Sequence, residues 1–147
     1  MVKIRRITKL STHFLGYASA ASLEPILHAS PWRLRLLGLA VLLGQPLFGW
    51  IWSQWLVQPY ENYWLRGFMS LLGAVLLLPV LSRDFSDSWT RLLITLVIWI
   101  ELPLFFSWMY LCNSGSAVWL ATMSVMVLIY YHVTDWRFAT LGTITGA

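Results

Sequence analysis

A single cysteine, Cys112, stands among 147 residues. That excludes an intrachain disulfide framework and any multi-cysteine metal site. Charge is scarce as well: 11% of the residues are charged against 59% hydrophobic, far from an ordinary soluble domain. The histidines, His13, His28 and His132, follow no metal-ligand spacing, so no metal site is expected. His132 also lacks a surrounding dimerisation helix and is not read as a phosphoacceptor. There is no Gly-rich phosphate loop, no nucleophile with its base and no carboxylate pair at useful spacing. No catalytic residue is assigned, no cofactor is implied, and by itself this stretch of chain is not an enzyme. The net charge of +4 comes without a Lys/Arg stripe interleaved with exposed aromatics, which argues against nucleic acid as a partner. Internal repeats and low-complexity segments are missing too.

What the chain does have is long apolar runs. Residues 34–56 carry one charge, Arg35, at their edge, over a length that crosses about 30 Å of hydrocarbon at about 1.5 Å per residue. Residues 65–81 are shorter and have Arg66 at their mouth. Residues 92–111 hold one ionisable side chain, Glu101, in the middle, and 116–133 hold none. A fifth run, 138–147, is too short to span. The fold class expected is all-α: a polytopic transmembrane helical bundle of about four complete spans plus the start of a fifth, as in a fragment cut within a membrane helix.

Lys3, Arg5, Arg6, Lys9, Arg33, Arg35, Arg83, Arg91 and Arg137 all fall on one side of these spans, and Arg66 alone on the other. The positive-inside rule then places the N-terminus and the 82–91 loop in the cytoplasm and the 57–65 and 112–116 loops outside. Tryptophans 32, 50, 52, 55, 64, 89, 108 and 136 lie near span ends, where an amphipathic indole suits the headgroup layer. Residues 1–30 form a separate basic segment. Ile7, Leu10, Phe14, Tyr17 and Ala21 recur at spacings of three and four beside Lys3, Arg6 and Lys9, which reads as an amphipathic helix on the inner leaflet. A disordered basic tail is the alternative. A signal peptide is disfavoured, because Glu24-Pro25 interrupts a weak apolar stretch. Residues 31–147 make up the membrane domain.

Within that domain the motifs become specific. Gly44-x-Pro46, Trp50-Ile51-Trp52-x-x-Trp55, Gln58 and Tyr60-Glu61-Asn62-x-x-Leu65-Arg66 come in order, followed by Leu102-Pro103-x-Phe105-Phe106 and Asn113-x-x-Ser116-x-x-Trp119. Together with Glu24-Pro25, this set resembles the membrane sensor domain of CqsS-type quorum-sensing histidine kinases. The resemblance implies a six-helix membrane domain of the bacterial inner membrane, a cytoplasmic kinase beyond it and a homodimer. It also implies a hydrophobic small-molecule signal, an α-hydroxyketone autoinducer. An aromatic residue and a hydroxyl residue three positions later on the fourth span belong to the family's ligand pocket, and they correspond here to Trp119 and Thr122. The family's best-known member has serine at the second position and an apolar or thiol residue where this chain has Glu101.

Trp119 and Thr122 are three apart and so share a helix face. An indole edge can stack on an alkyl chain while its N–H donates, and a threonine hydroxyl can pair with a ketone or hydroxyl. Ordinary helix packing is the competing reading for both. Glu101 is the third candidate. A charge at mid-membrane costs roughly 2.5–3.5 kcal/mol on insertion scales. Glu101 is therefore expected to be protonated, or paired with polar groups facing the bundle interior. It either bonds a ligand head, or satisfies backbone carbonyls freed by Pro103, or bonds to Gln45 or Ser107. Tyr60-Glu61-Asn62 with Arg66 is read as a loop clamp and helix N-cap. Gly142-x-x-x-Gly146 is a weak helix-contact motif. The rival to the sensor reading is a membrane anchor or small transporter unit, or a sensor serving another output such as a cyclase.

Overall fold

The computed structural model describes residues 27, 29–79 and 87–146. The expected amphipathic segment at 1–30 lies almost wholly outside these residues, as does the first half of the expected 82–91 loop, whose residues 88–91 belong to a helix. The described residues are helical, with one isolated backbone bridge, between Leu27 and Thr134. In chain order the helices are α1 (Pro31–Gln54), α2 (Tyr63–Val75), α3 (Ser88–Trp99), α4 (Phe105–Cys112), α5 (Ala117–Val133) and α6 (Trp136–Gly146). A π-helical turn, Ile100–Leu104, joins α3 to α4 into one continuous rod, Ser88–Cys112. Two of these helices are long and apolar enough to cross a membrane, α1 with 24 residues and the α3–α4 rod with 25. The apolar α5 is shorter, with 17 residues.

Local chemistry sets the ends. Pro31 opens α1 at a position that needs no N–H. The Asn62 side chain caps α2, accepting from the Trp64 and Leu65 amides at 3.0 and 3.1 Å. Asp87 caps α3 through the Thr90 amide, and Asp135 caps the start of α6 through the Arg137 and Phe138 amides. The second expected span, 65–81, is helical only to Val75, 13 residues in all. Beyond it the Leu76 and Leu77 amides turn back on the Gly73 and Ala74 carbonyls, ahead of Pro79. A proline there has no N–H with which to continue the ladder.

The two prolines inside helices are accommodated differently. Pro46 removes an amide from α1 and frees the Leu42 carbonyl, and Ser70 of α2 donates its hydroxyl to that carbonyl at 2.7 Å. Pro103 lies in the π turn, where the Phe105 amide reaches the Ile100 carbonyl five residues back. α1 and α2 form a hairpin that closes on Gly38 and Gly73. A Cβ on Gly38 would meet the Gly73 carbonyl at 2.7 Å, so only hydrogen fits there.

Two apolar clusters result. Leu34, Ile94, Ile98, Leu102, Tyr130 and Val133 form one, and Met69, Phe105, Phe106, Met109 and Trp119 the other. Along the α3–α4 rod, Glu101 falls between Ile98 of the first cluster and Phe105 of the second. Three of the buried polar side chains, Gln45, Arg66 and Glu101, meet at that level of the bundle.

Candidate functional site

Arg66 is the hub of that polar layer. It stands in the first turn of α2, just after the Asn62 cap, and is 3% exposed. Its alkyl stem lies against Gly49 of α1, where a Cβ would approach Arg66 Cγ to 3.4 Å. Glu61, one residue before the cap, grips the guanidinium from the loop side. Nε donates to Glu61 Oε1 at 2.8 Å and Nη2 to Oε2 at 2.9 Å, a bidentate pair. The guanidinium also sits 5.2 Å from the Phe105 ring centroid and 5.5 Å from that of Trp119. Aromatic faces attract a desolvated cation and replace part of its lost hydration.

The third bond of Arg66 leads inward. Nη1 donates to Gln45 Oε1 at 2.8 Å, and Gln45 Nε2 donates to Glu101 Oε2 at 3.4 Å. Because a guanidinium can only donate, it fixes which end of the Gln45 amide faces Glu101: the nitrogen. Glu101 is 2% exposed, and its Oε1 has no hydrogen-bond partner among the described residues. Leaving a buried polar oxygen unpaired costs about 1–3 kcal/mol. Of the expected partners Gln45 is confirmed, whereas Ser107 turns its hydroxyl to the Met123 sulfur at 3.4 Å.

A second set of bonds ties the loops before α2 and before α5 to this layer. The Tyr60 amide donates to Asn113 Oδ1 at 3.0 Å, and Asn113 Nδ2 donates to the Met109 carbonyl at 2.8 Å. Trp119, 1% exposed, gives its indole N–H to Gln58 Oε1 at 3.0 Å. Its ring packs 5.7 Å from Trp52 and 6.3 Å from Phe106. The loop clamp read from Tyr60-Glu61-Asn62 and Arg66 is therefore present, and it extends to Asn113 in the loop before α5.

Between α1, the π turn and α5 lies a cavity of about 350 Å³. Trp119, Thr122 and Glu101, the three residues singled out from the sequence, all line it. Gln45 and Arg66 join them at its polar end, and the rest of the wall is mainly apolar, with Leu37, Val41, Phe48, Met126 and Ile129 among its residues. Pockets for small ligands have this size and this character: a few convergent polar groups in an apolar wall. The polar capacities are specific. The Trp119 N–H is used by Gln58, so the ring presents its surface. The half-buried Thr122 donates its hydroxyl proton to the Val118 carbonyl at 2.8 Å, which leaves its oxygen as an acceptor.

Sequence reasoning missed Gln45 and Arg66 as cavity residues. A signal did exist: Gln45 is a polar amide in the middle of an apolar run, and it sits inside the Gly44-x-Pro46 motif. The glycine motif expected at Gly142 and Gly146 is a contact surface, with Trp99 Nε1 donating to the Gly142 carbonyl at 2.9 Å.

No family model matches the chain, and no solved structure matches it. Among curated proteins the chain is similar to the CAI-1 autoinducer sensor kinase/phosphatase CqsS of Vibrio cholerae serotype O1, with 36% identity over 110 residues. The match covers 72% of this chain and 15% of that relative's length. The resemblance to CqsS-type sensors carried by the motifs is thereby supported by an independent alignment.

Proposed function

We propose that this chain is the signal-receiving membrane part of a CqsS-type sensor histidine kinase and that its cavity holds an α-hydroxyketone. The observation that carries the reading is the cavity itself, an apolar chamber whose polar end gathers Trp119, Thr122 and Glu101 beside the Arg66–Gln45 pair. The alkyl tail lies along the apolar wall and the oxygenated head at the polar end. Burying a methylene from water is worth about 0.8 kcal/mol. A tail that arrives from lipid gains little of this, so selectivity rests on the head.

In this reading the helices form a multi-pass bundle in the bacterial inner membrane with a cytoplasmic N-terminus, surrounded by lipid and paired as a homodimer. The ligand bridges α1, the π turn and α5, and so favours one arrangement of these helices over another. A cytoplasmic kinase outside this chain reads the difference. π turns are local irregularities that tolerate such shifts, and this one carries Glu101.

Dose–response curves of the full-length kinase in lipid vesicles test the proposal, with a series of α-hydroxyketones of increasing tail length. Trp119→Ala should relax the dependence on tail length, and Thr122→Val should raise the half-maximal dose. Unchanged potency and selectivity in both variants would mean that these residues only pack helices.

A further inference from the structure

Arg66 and Gln45 dictate the hydrogen-bonding role of Glu101. Arg66 is a permanent cation, and both of its bonds to Glu61 are formed. Its charge is thus matched outside the cavity. Gln45, held by Arg66 through its oxygen, presents N–H to Glu101, so Glu101 Oε2 is the acceptor in that bond. No cation faces Glu101 among the described lining residues other than the already matched Arg66. A carboxylate in this position, buried within an apolar rod, is costly, and because Oε2 already accepts from Gln45, Oε1 is the oxygen left to carry a proton. Oε1 is the oxygen without a partner; it is enclosed in this arrangement, so a ligand reaches it when the carboxyl turns toward the cavity that Glu101 lines.

We propose that Glu101 presents a neutral carboxyl O–H to the cavity, and that this O–H donates to the ketone oxygen of the bound ligand. The inference rests on the hydroxyketone reading above and assigns polarity to it. A buried neutral acid can serve as a donor toward a carbonyl. Thr122 is the complement: its proton is committed to Val118, so its oxygen accepts from the ligand's hydroxyl. The site thus reads the head as an acceptor on one carbon and a donor on the next, which distinguishes a hydroxyketone from a simple alcohol or a simple ketone.

The test is a binding cycle on the full-length protein in lipid nanodiscs. The probes are a medium-chain α-hydroxyketone and the corresponding alcohol, in which the ketone is replaced by methylene. For the unaltered protein, removing the ketone should weaken binding about tenfold or more, as loss of one buried hydrogen bond implies. In Glu101→Met the same change should cost less than about twofold. Glu101→Gln, whose amide can donate N–H in place of O–H, should retain most of the discrimination. A second measurement needs no variant of reduced stability: the infrared band of a carbon-13-labelled ketone should move to lower frequency on binding to the unaltered protein and to Glu101→Gln. Equal binding of the two probes, an unshifted ketone band, or the same discrimination in Glu101→Met would overturn the assignment while leaving a hydroxyketone site in place. Binding of neither probe would overturn the hydroxyketone reading itself, and this inference with it.

Discussion

The guanidinium of Arg66 lies 5.5 Å from the ring centroid of Trp119. The last residue of one sequence motif, 60–66, thereby meets the last residue of another, 113–119. Their first residues meet as well, through the Tyr60 amide and Asn113 Oδ1 at 3.0 Å. Two loops distant in sequence, the one before α2 and the one before α5, are thus clamped at both ends.

The Glu61–Arg66 pair is buried, with side-chain exposures of 8% and 4%. Removing one partner from such a pair typically costs about 3–5 kcal/mol, because the other charge is left uncompensated. Glu61→Gln and Arg66→Met should each destabilise on that scale. The double variant should recover a large part of the loss. Thermal unfolding in detergent–lipid micelles measures this, and single variants costing under about 1 kcal/mol would contradict the burial.

Two glycines offer a matched contrast. A Cβ on Gly38 would meet the Gly73 carbonyl and Leu76 Cβ at 2.7 and 2.8 Å, whereas a Cβ on Gly67 meets nothing within 4 Å. Gly38→Val should push the α1–α2 hairpin apart at a cost of about 1–3 kcal/mol or more. Gly67→Ala, within helix α2, should stabilise by about 0.5–1 kcal/mol. The same unfolding assay separates them, and equal effects would mean that the helices do not meet there.

Asn113→Ala removes the acceptor of the Tyr60 amide. Loss of a buried partner costs about 1–3 kcal/mol, and here the effect should be local. Amide hydrogen exchange at Tyr60 should accelerate strongly while exchange in the core of α1 stays slow. Uniform acceleration would show instead that Asn113 supports the whole bundle.

Much of this architecture was legible in the sequence. Apolar runs at 34–56, 92–111 and 116–133 became helices with bounds within a few residues, and Pro31 and Asp87 mark the starts of the first two by chemistry that acts locally. The second run shortened because the turn at Leu76 and Leu77, ahead of Pro79, overrides hydrophobicity. Glu101 stood out as an ionisable group in an apolar run, and its contact with Gln45 was among the expected ones. The full relay was not legible. Arg66 and Gln45 are 21 positions apart, Gln45 and Glu101 are 56 apart, and no local pattern says which helix faces pair. Arg66 was read as part of the loop because its partner Glu61 is near in sequence. Its inward bond depends on the hairpin closing at Gly38 and Gly73.

Topology can be tested at the lone cysteine. The Lys/Arg asymmetry predicts that the 112–116 loop lies outside, and Cys112 is partly exposed at the end of α4. A membrane-impermeant maleimide should label it in intact spheroplasts. Labelling only after the cells are opened would invert the orientation.

The central claim is that a hydroxyketone occupies the cavity between α1, the π turn and α5. Its most direct measurement is photocrosslinking of the full-length protein in membranes with a diazirine-bearing α-hydroxyketone, mapped by mass spectrometry with and without excess unlabelled compound. The account expects adducts on cavity-lining residues such as Phe48, Met126 and Ile129, suppressed by the competitor. Adducts confined to lipid-facing side chains such as Leu43 and Leu128, or insensitive to competitor, would contradict it.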